Sequence, residues 1–342
     1  MSMKNSRPIA TLSLVAASAL VLAGCAAEAA PAAEETTPAD EAPLEWSFEF
    51  NTAAEDEDPA YEPVTVEVPR NPEKVVIFDM ASFDTWVNLG GEVAGAPLES
   101  VPDYLEDGLA DDAFNAGTLF EADVLAIAEQ EPDLIILGGR SAALYDELKD
   151  IAPTIDMSSQ GSFEETLERN VTFLGEVLGA QDEAATALEE LEAGIEEAKA
   201  VTADAGTGLG IMVSGDGISA LKPSLGDYSG RNLRGGLIYD VFGVQPVIED
   251  IEGATHGEPV SFEFLLETDP DYLWVIDRNT ATGGDSGSSE GAAAILDNDI
   301  VNQTTAAQND QIVYLDPVAW YIVFGGIETT KIMTDDVMQI AE

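Results

Sequence analysis

Histidine, cysteine and basic side chains are all scarce in this chain of 342 residues. It has one histidine, His256, and one cysteine, Cys25. Thirteen Lys and Arg stand against 66 Asp and Glu, for a formal net charge of -53. Each shortage excludes something. A lone cysteine cannot form an intramolecular disulfide. One histidine and one cysteine do not build Cys/His nucleophilic machinery, and they fall short of the His and Cys set that a zinc or manganese site usually takes. Nucleic-acid binding needs clustered Lys and Arg, so no nucleic acid is expected as a partner. No serine sits in a nucleophile elbow, and no glycine-rich loop is built to cradle phosphate. Carboxylates are so abundant that no pair of them is diagnostic. The chain is expected not to be an enzyme.

What is present begins with a leader. Lys4 and Arg7 precede the uncharged run from Ile9 to Leu22, which is short for a bilayer span. The run ends in Leu22-Ala23-Gly24-Cys25, which resembles a bacterial lipobox. Residues 1–24 therefore read as a lipoprotein signal peptide. Cys25 reads as the lipidated first residue of a protein held on the extracytoplasmic face of the cell membrane. Residues 25–63, rich in Ala, Glu, Asp, Pro and Thr, read as an acidic disordered tether. Within it, the alternation Trp46-Ser47-Phe48-Glu49-Phe50 offers a first edge strand.

The remainder is long enough for about two domains. Apolar runs such as Val75-Val76-Ile77-Phe78 and Leu134 to Leu137 read as buried strands of a parallel sheet, alternating with helices. Residues 64–161 are expected to form an N-terminal α/β lobe and 206–342 a C-terminal one. Residues 162–205 carry two helices with no strand between them. Ser162 and Glu165 fit a capping box. The second helix, from about Asp182, could run roughly 30 Å and join the lobes.

An internal repeat organises the two halves. Pro132-Asp133-Leu134-Ile135-Ile136-Leu137-Gly138-Gly139-Arg140 matches Pro270-Asp271-Tyr272-Leu273-Trp274-Val275-Ile276-Asp277-Arg278. Each unit is Pro-Asp, a strand, then arginine. Ligands of open parallel sheets bind beyond the carboxyl ends of strands, where both arginines fall. Lys4 and Arg7 lie in the leader. Of the basic residues left, Arg140, Lys222, Arg231, Arg234 and Arg278 all lie in loops or helix starts near strand ends. Together they would make a positive pocket in a negative field, suited to a compact anion. Guanidinium suits multidentate oxygen acceptors better than ammonium does. His256 and Tyr321 lie in loops of the second half, and both can ligate ferric iron. Trp320 offers an aromatic face to a flat ligand.

From about Val64 onward the chain resembles the substrate-binding lipoproteins of bacterial ABC importers for ferric siderophores, the catecholate and petrobactin binders above all. The stretches that carry the likeness include residues 74–79, 132–140, 145–155, 240–243, 255–263, 270–278 and 315–321. The resemblance implies two α/β lobes joined by a single long helix, with the ligand in the inter-lobe cleft. It implies that Arg140, Arg234 and Arg278 face an anionic ferric complex. His256 and Tyr321 would fill iron sites that the siderophore leaves open. It also implies a monomer without a permanent cofactor, which receives Fe(III) as a siderophore complex and passes it to an ABC permease and its ATPase. Glu263 matches one permease-docking glutamate. The other falls on Leu125, where Glu121, Asp123 or Glu129 would have to substitute. Capture of haem or cobalamin is the alternative within the same fold, and a surface hydrolase is the alternative outside it.

Overall fold

The computed structural model describes residues 42–53, 59–226, 233–253, 255–284, 288 and 290–341. The leader, Cys25, the first part of the tether and Arg231 lie outside the described residues.

The edge strand expected at residues 46–50 is present, inside the stretch read as tether. Strand β1 (Leu44–Asn51) pairs antiparallel with β2 (Tyr61–Val68), Trp46 opposite Val66 and Phe48 opposite Val64. Its residues alternate. Trp46, Phe48 and Phe50 are buried on one face, while Glu45, Ser47 and Glu49 are exposed on the other. A lone hairpin is marginal in water, and this one is held by aromatic packing. The Trp46 ring lies 4.4 Å from that of Phe173, and Phe48 meets Tyr145 edge-on at 5.2 Å. Trp46 also donates Nε1–H to the carbonyl of Asp156 at 2.8 Å.

The first large sheet contains β3 (Val75–Ile77), β4 (Val93–Ala96), β5 (Leu109–Asn115), β6 (Leu134–Leu137) and β7 (Thr154–Asp156). They are all parallel, in the order β5-β4-β3-β6-β7. The central strands are buried along their whole length, as the uninterrupted apolar runs require. The second sheet contains β8 (Thr207–Ser214), β9 (Gly217–Ala220), β10 (Gln245–Pro246), β11 (Glu258–Val260), β12 (Tyr272–Asp277) and β13 (Ile312–Leu315). Its order is β11-β9-β8-β12-β13, with β10 beside the start of β8. Strands β8, β12 and β13 run parallel, and β8–β9 is the hairpin expected at residues 214–217. No helix among the described residues is long and apolar enough to cross a membrane.

The two sheets are bridged by helices. Ser162 and Glu165 make the reciprocal capping box that starts helix Phe163–Leu178. Gly179 ends it at φ 68°, a left-handed conformation that costs glycine little. Helix Gln181–Ala203 follows, 23 residues and so about 34 Å long. Its Ala184 and Leu191 belong to the core under the first sheet, and its Ile195 and Ala198 to a core under the second. The closing helix Ile327–Met338 spans the same boundary, with Ile327 in the first core and Met333 and Val337 in the second. Its free N-terminal amides are satisfied by a residue from the first lobe. Asp84, within helix Met80–Asn88, accepts the N–H groups of Glu328 at 2.9 Å and Thr329 at 2.7 Å.

Asp84 is fully buried, and that burial pushes its pKa up to about 6 despite these donors. A folded-state pKa above the ordinary value of 3.8 stabilises the fold at low pH, and the contribution is lost as pH rises through about 6. The melting-temperature advantage of the wild type over Asp84→Asn should therefore be largest near pH 4 and shrink towards pH 7. Paired thermal melts across that range check it.

Candidate binding site

Strand β6 ends in Gly138-Gly139-Arg140 and β12 ends in Asp277-Arg278, so the repeat delivers two guanidiniums to carboxyl ends of two different sheets. A third comes from Arg234, in the short helix Leu233–Gly236. All three meet at Tyr321, which sits in an irregular helical turn, Val318–Val323, after β13. Arg140 crosses from the first lobe and donates to the carbonyls of Tyr321 at 2.5 Å and Ile322 at 3.0 Å. Arg278 donates Nε–H to the Tyr321 hydroxyl at 2.7 Å and a second N–H to Ser214 Oγ at 2.7 Å. Arg234 lies over the Tyr321 ring, 4.5 Å from its centroid, and donates to the Thr255 carbonyl at 3.2 Å. His256 Nε2 is 3.2 Å from the same Tyr321 hydroxyl.

The Tyr321 oxygen must accept from Arg278, because Nε of arginine is only a donor. A protonated phenol can then donate to His256, provided the imidazole is neutral. It is held so: burial and the surrounding Arg234, Arg278 and Arg140 all lower its pKa. The imidazole thus keeps a lone pair, the state a metal ligand needs.

The charge is the unusual feature. Among the described residues, none of the three arginines forms an ion pair. The ion pairs that do form belong to Lys149, Lys199 and Lys331. Arg234 is only 9% exposed, and its Nε has no hydrogen-bond partner among the described residues. Burial, then repulsion from Arg140 and Arg278, pushes its pKa down to about 10. Burial lowers that of Arg140 as well. A cavity of about 370 Å³ adjoins Arg140 and Arg234 and extends towards Ser158, Phe163 and Phe324. Three guanidiniums that form no ion pair among the described residues therefore cluster around Tyr321 and His256, and two of them, Arg140 and Arg234, line the cavity.

The sequence expectations fare unevenly here. Arg140, Arg234, Arg278, His256 and Tyr321 converge. Trp320 does not, and its expected role is corrected: it is fully buried, donates Nε1–H to Asp336 at 2.9 Å and packs on Phe242. Its neighbour Tyr321 is buried as well, but its hydroxyl meets Arg278 and His256. Lys222 is partly buried after β9 and, among the described residues, forms no ion pair. Sequence reasoning missed Ser214, which holds Arg278, and Phe324, whose ring lies 5.5 Å from the Arg234 guanidinium carbon. The pair Gly325-Gly326 directly after Phe324 was the available signal of a close turn. Glu263 is exposed in the first turn of helix Phe262–Thr268. By the repeat its counterpart is Leu125, which is 78% exposed at the start of helix Val124–Gln130. Glu121 and Asp123 are exposed beside it, and Asp123 caps that helix through Ala126 N at 3.0 Å.

A family model described as periplasmic binding protein matches residues 75–319. The chain belongs to the periplasmic binding protein family. Among relatives of this periplasmic binding protein, the petrobactin-binding protein YclQ of Bacillus subtilis is 36% identical over 274 residues, covering 79% of this chain and 83% of that one. Among solved structures, a TroA-like periplasmic binding protein from Xylanimonas cellulosilytica is 63% identical with a TM-score of 0.83, covering 88% of this chain and 99% of that one. The periplasmic catecholate-siderophore binding protein VctP of Vibrio cholerae is 28% identical with a TM-score of 0.70, covering 80% and 96%.

For this periplasmic binding protein the unpaired charge has a cost in the free state. Arg234→Met removes an unsatisfied donor and a like-charge repulsion. It should stabilise the unliganded protein by roughly 1–2 kcal/mol, a rise of about 2–4 °C in Tm, while weakening anion binding. Calorimetry of the free variant and wild type measures the first effect.

Proposed function

We propose that the protein captures an anionic ferric siderophore of the catecholate class outside the cell membrane and delivers it to an ABC permease for iron uptake. The observation that carries this reading is the convergence of Arg140, Arg234 and Arg278, none of them ion-paired among the described residues, on one tyrosine. A ferric catecholate presents several negatively charged oxygens in a compact shape, and guanidiniums answer it with charge-assisted hydrogen bonds. The names of the petrobactin-binding and catecholate-siderophore-binding relatives support the same class. In this reading Tyr321 and His256 complete the iron's coordination when the siderophore supplies too few oxygens. The protein performs no catalytic step and holds no permanent cofactor.

The rest of the machinery follows from that role. Two α/β lobes joined by helix Gln181–Ala203 frame the cleft. Cys25 carries the lipid that keeps the monomer at the membrane. Glu263 docks on the permease from the second lobe. On the first lobe Glu121 and Asp123, beside the apolar Leu125, take the part of the second docking acid.

Titration with ferric tetradentate and hexadentate catecholates, followed by quenching of tryptophan fluorescence and by the iron charge-transfer band, tests the reading. Arg278→Ala should weaken both complexes by roughly ten- to a hundredfold. His256→Ala should weaken the tetradentate complex and spare the hexadentate one. Equal affinity of His256→Ala and wild type for both would rule out ligation by the imidazole. Failure of every ferric catecholate to bind would remove the function itself.

A further inference from the structure

Arg140 is the cluster's contribution from the first lobe, and the β6–β7 ladder stops directly before it. Parallel pairing carries Ile135 N–H to the Pro153 carbonyl at 2.9 Å and Met157 N–H to the Leu137 carbonyl at 2.8 Å. The next rung would take Gly139 N–H to the Met157 carbonyl. That carbonyl accepts instead from Asn170 Nδ2 at 2.9 Å, in helix Phe163–Leu178. Gly139 N–H goes to the Ser158 hydroxyl at 2.8 Å. A side chain thus replaces a backbone carbonyl at the last rung. The chain turns out of the sheet there, with Gly139 at φ 51°, where glycine meets no steric penalty.

The hydroxyl is held in the orientation this bond needs. A backbone N–H only donates, so Ser158 Oγ accepts from Gly139 and its own proton goes to Asp156 Oδ1. The same Asp156 oxygen accepts Ser158 N–H at 2.9 Å. Asp156 is buried, and Trp46 and Arg169 fasten the backbone around it, through the carbonyls of Asp156 and Ser158, each at 2.8 Å. Ser158 and Arg140 line the same cavity.

We infer that Ser158 is a positioning residue for Arg140: through Gly139 its hydroxyl fixes the path by which the guanidinium leaves the first sheet, and with it the strength of anion binding. The inference rests on the siderophore reading above. Arg140 reaches across to the carbonyls of Tyr321 and Ile322, and a planar guanidinium fork meets its acceptors from a narrow range of directions. Without the hydroxyl, Gly139 N–H loses its partner and the last rung opens. The loop then has other paths open to it, and part of the preorganisation of Arg140 is lost.

A double-mutant cycle tests this, read as the affinity for the ferric complex of a mesitylene-based tris-catecholamide. Ser158→Ala should weaken binding by roughly three- to tenfold, and Ser158→Thr, which keeps the hydroxyl, should recover most of that loss. In an Arg140→Ala background the same Ser158→Ala change should weaken binding by less than about twofold, because the group it places is gone. Unchanged affinity of Ser158→Ala would overturn the assignment. So would a loss that persists in full without Arg140, which would make Ser158 a direct contact of the ligand. If the wild type binds no ferric catecholate, the siderophore reading falls by itself. The cycle read in the urea midpoints of the free proteins then decides the positioning: less-than-additive losses support it and additive losses sink it.

Discussion

Three guanidiniums share one tyrosine. Each part of Tyr321 is used: its carbonyl by Arg140, its hydroxyl by Arg278 and His256, its ring by Arg234. The many surface carboxylates cannot replace this arrangement, because at physiological salt their field is screened within about 8 Å. What holds the cations together is local: carbonyl oxygens, two hydroxyls and an aromatic face. All are neutral acceptors, and a charged oxygen is a better one. The free protein therefore keeps its arginines in place with groups that a ligand can outcompete.

The carboxyl ends of strands from both sheets converge on this cluster. Neither lobe has it alone. Arg140 comes from the first sheet, while Arg234, Arg278, His256 and Tyr321 come from the second half of the chain. Because Arg140 already bonds to the backbone of the second lobe, the cluster is assembled before any ligand arrives. Preorganisation of this sort lowers the ordering cost of binding.

Much of this was legible in the sequence where a local signal fixes a local structure. The Ser162–Glu165 capping box, the buried runs of β3 and β6 and the hairpin after Ser214 follow from short-range rules. The repeated Pro-Asp-strand-Arg unit located two of the three arginines without any knowledge of tertiary packing. The alternation around Trp46 was legible as a strand too. Other features were hidden for stated reasons. The aromatic packing of that strand against Phe173 and Tyr145 depends on residues about a hundred positions away. Trp320 and Tyr321 are neighbours, and nothing in the sequence tells which one turns inward. Strand β5 places two acids side by side and β7 has three residues, so neither shows a usable period.

The closing helix has a mechanical meaning. Together with helix Gln181–Ala203 it forms a paired spine that enters both cores, and its first turn is fastened to the opposite lobe by Asp84. A spine of this kind resists gaping: spreading the lobes means bending two packed helices or stripping a buried carboxylate of its donors. The cleft therefore behaves as a gauge more than as a jaw.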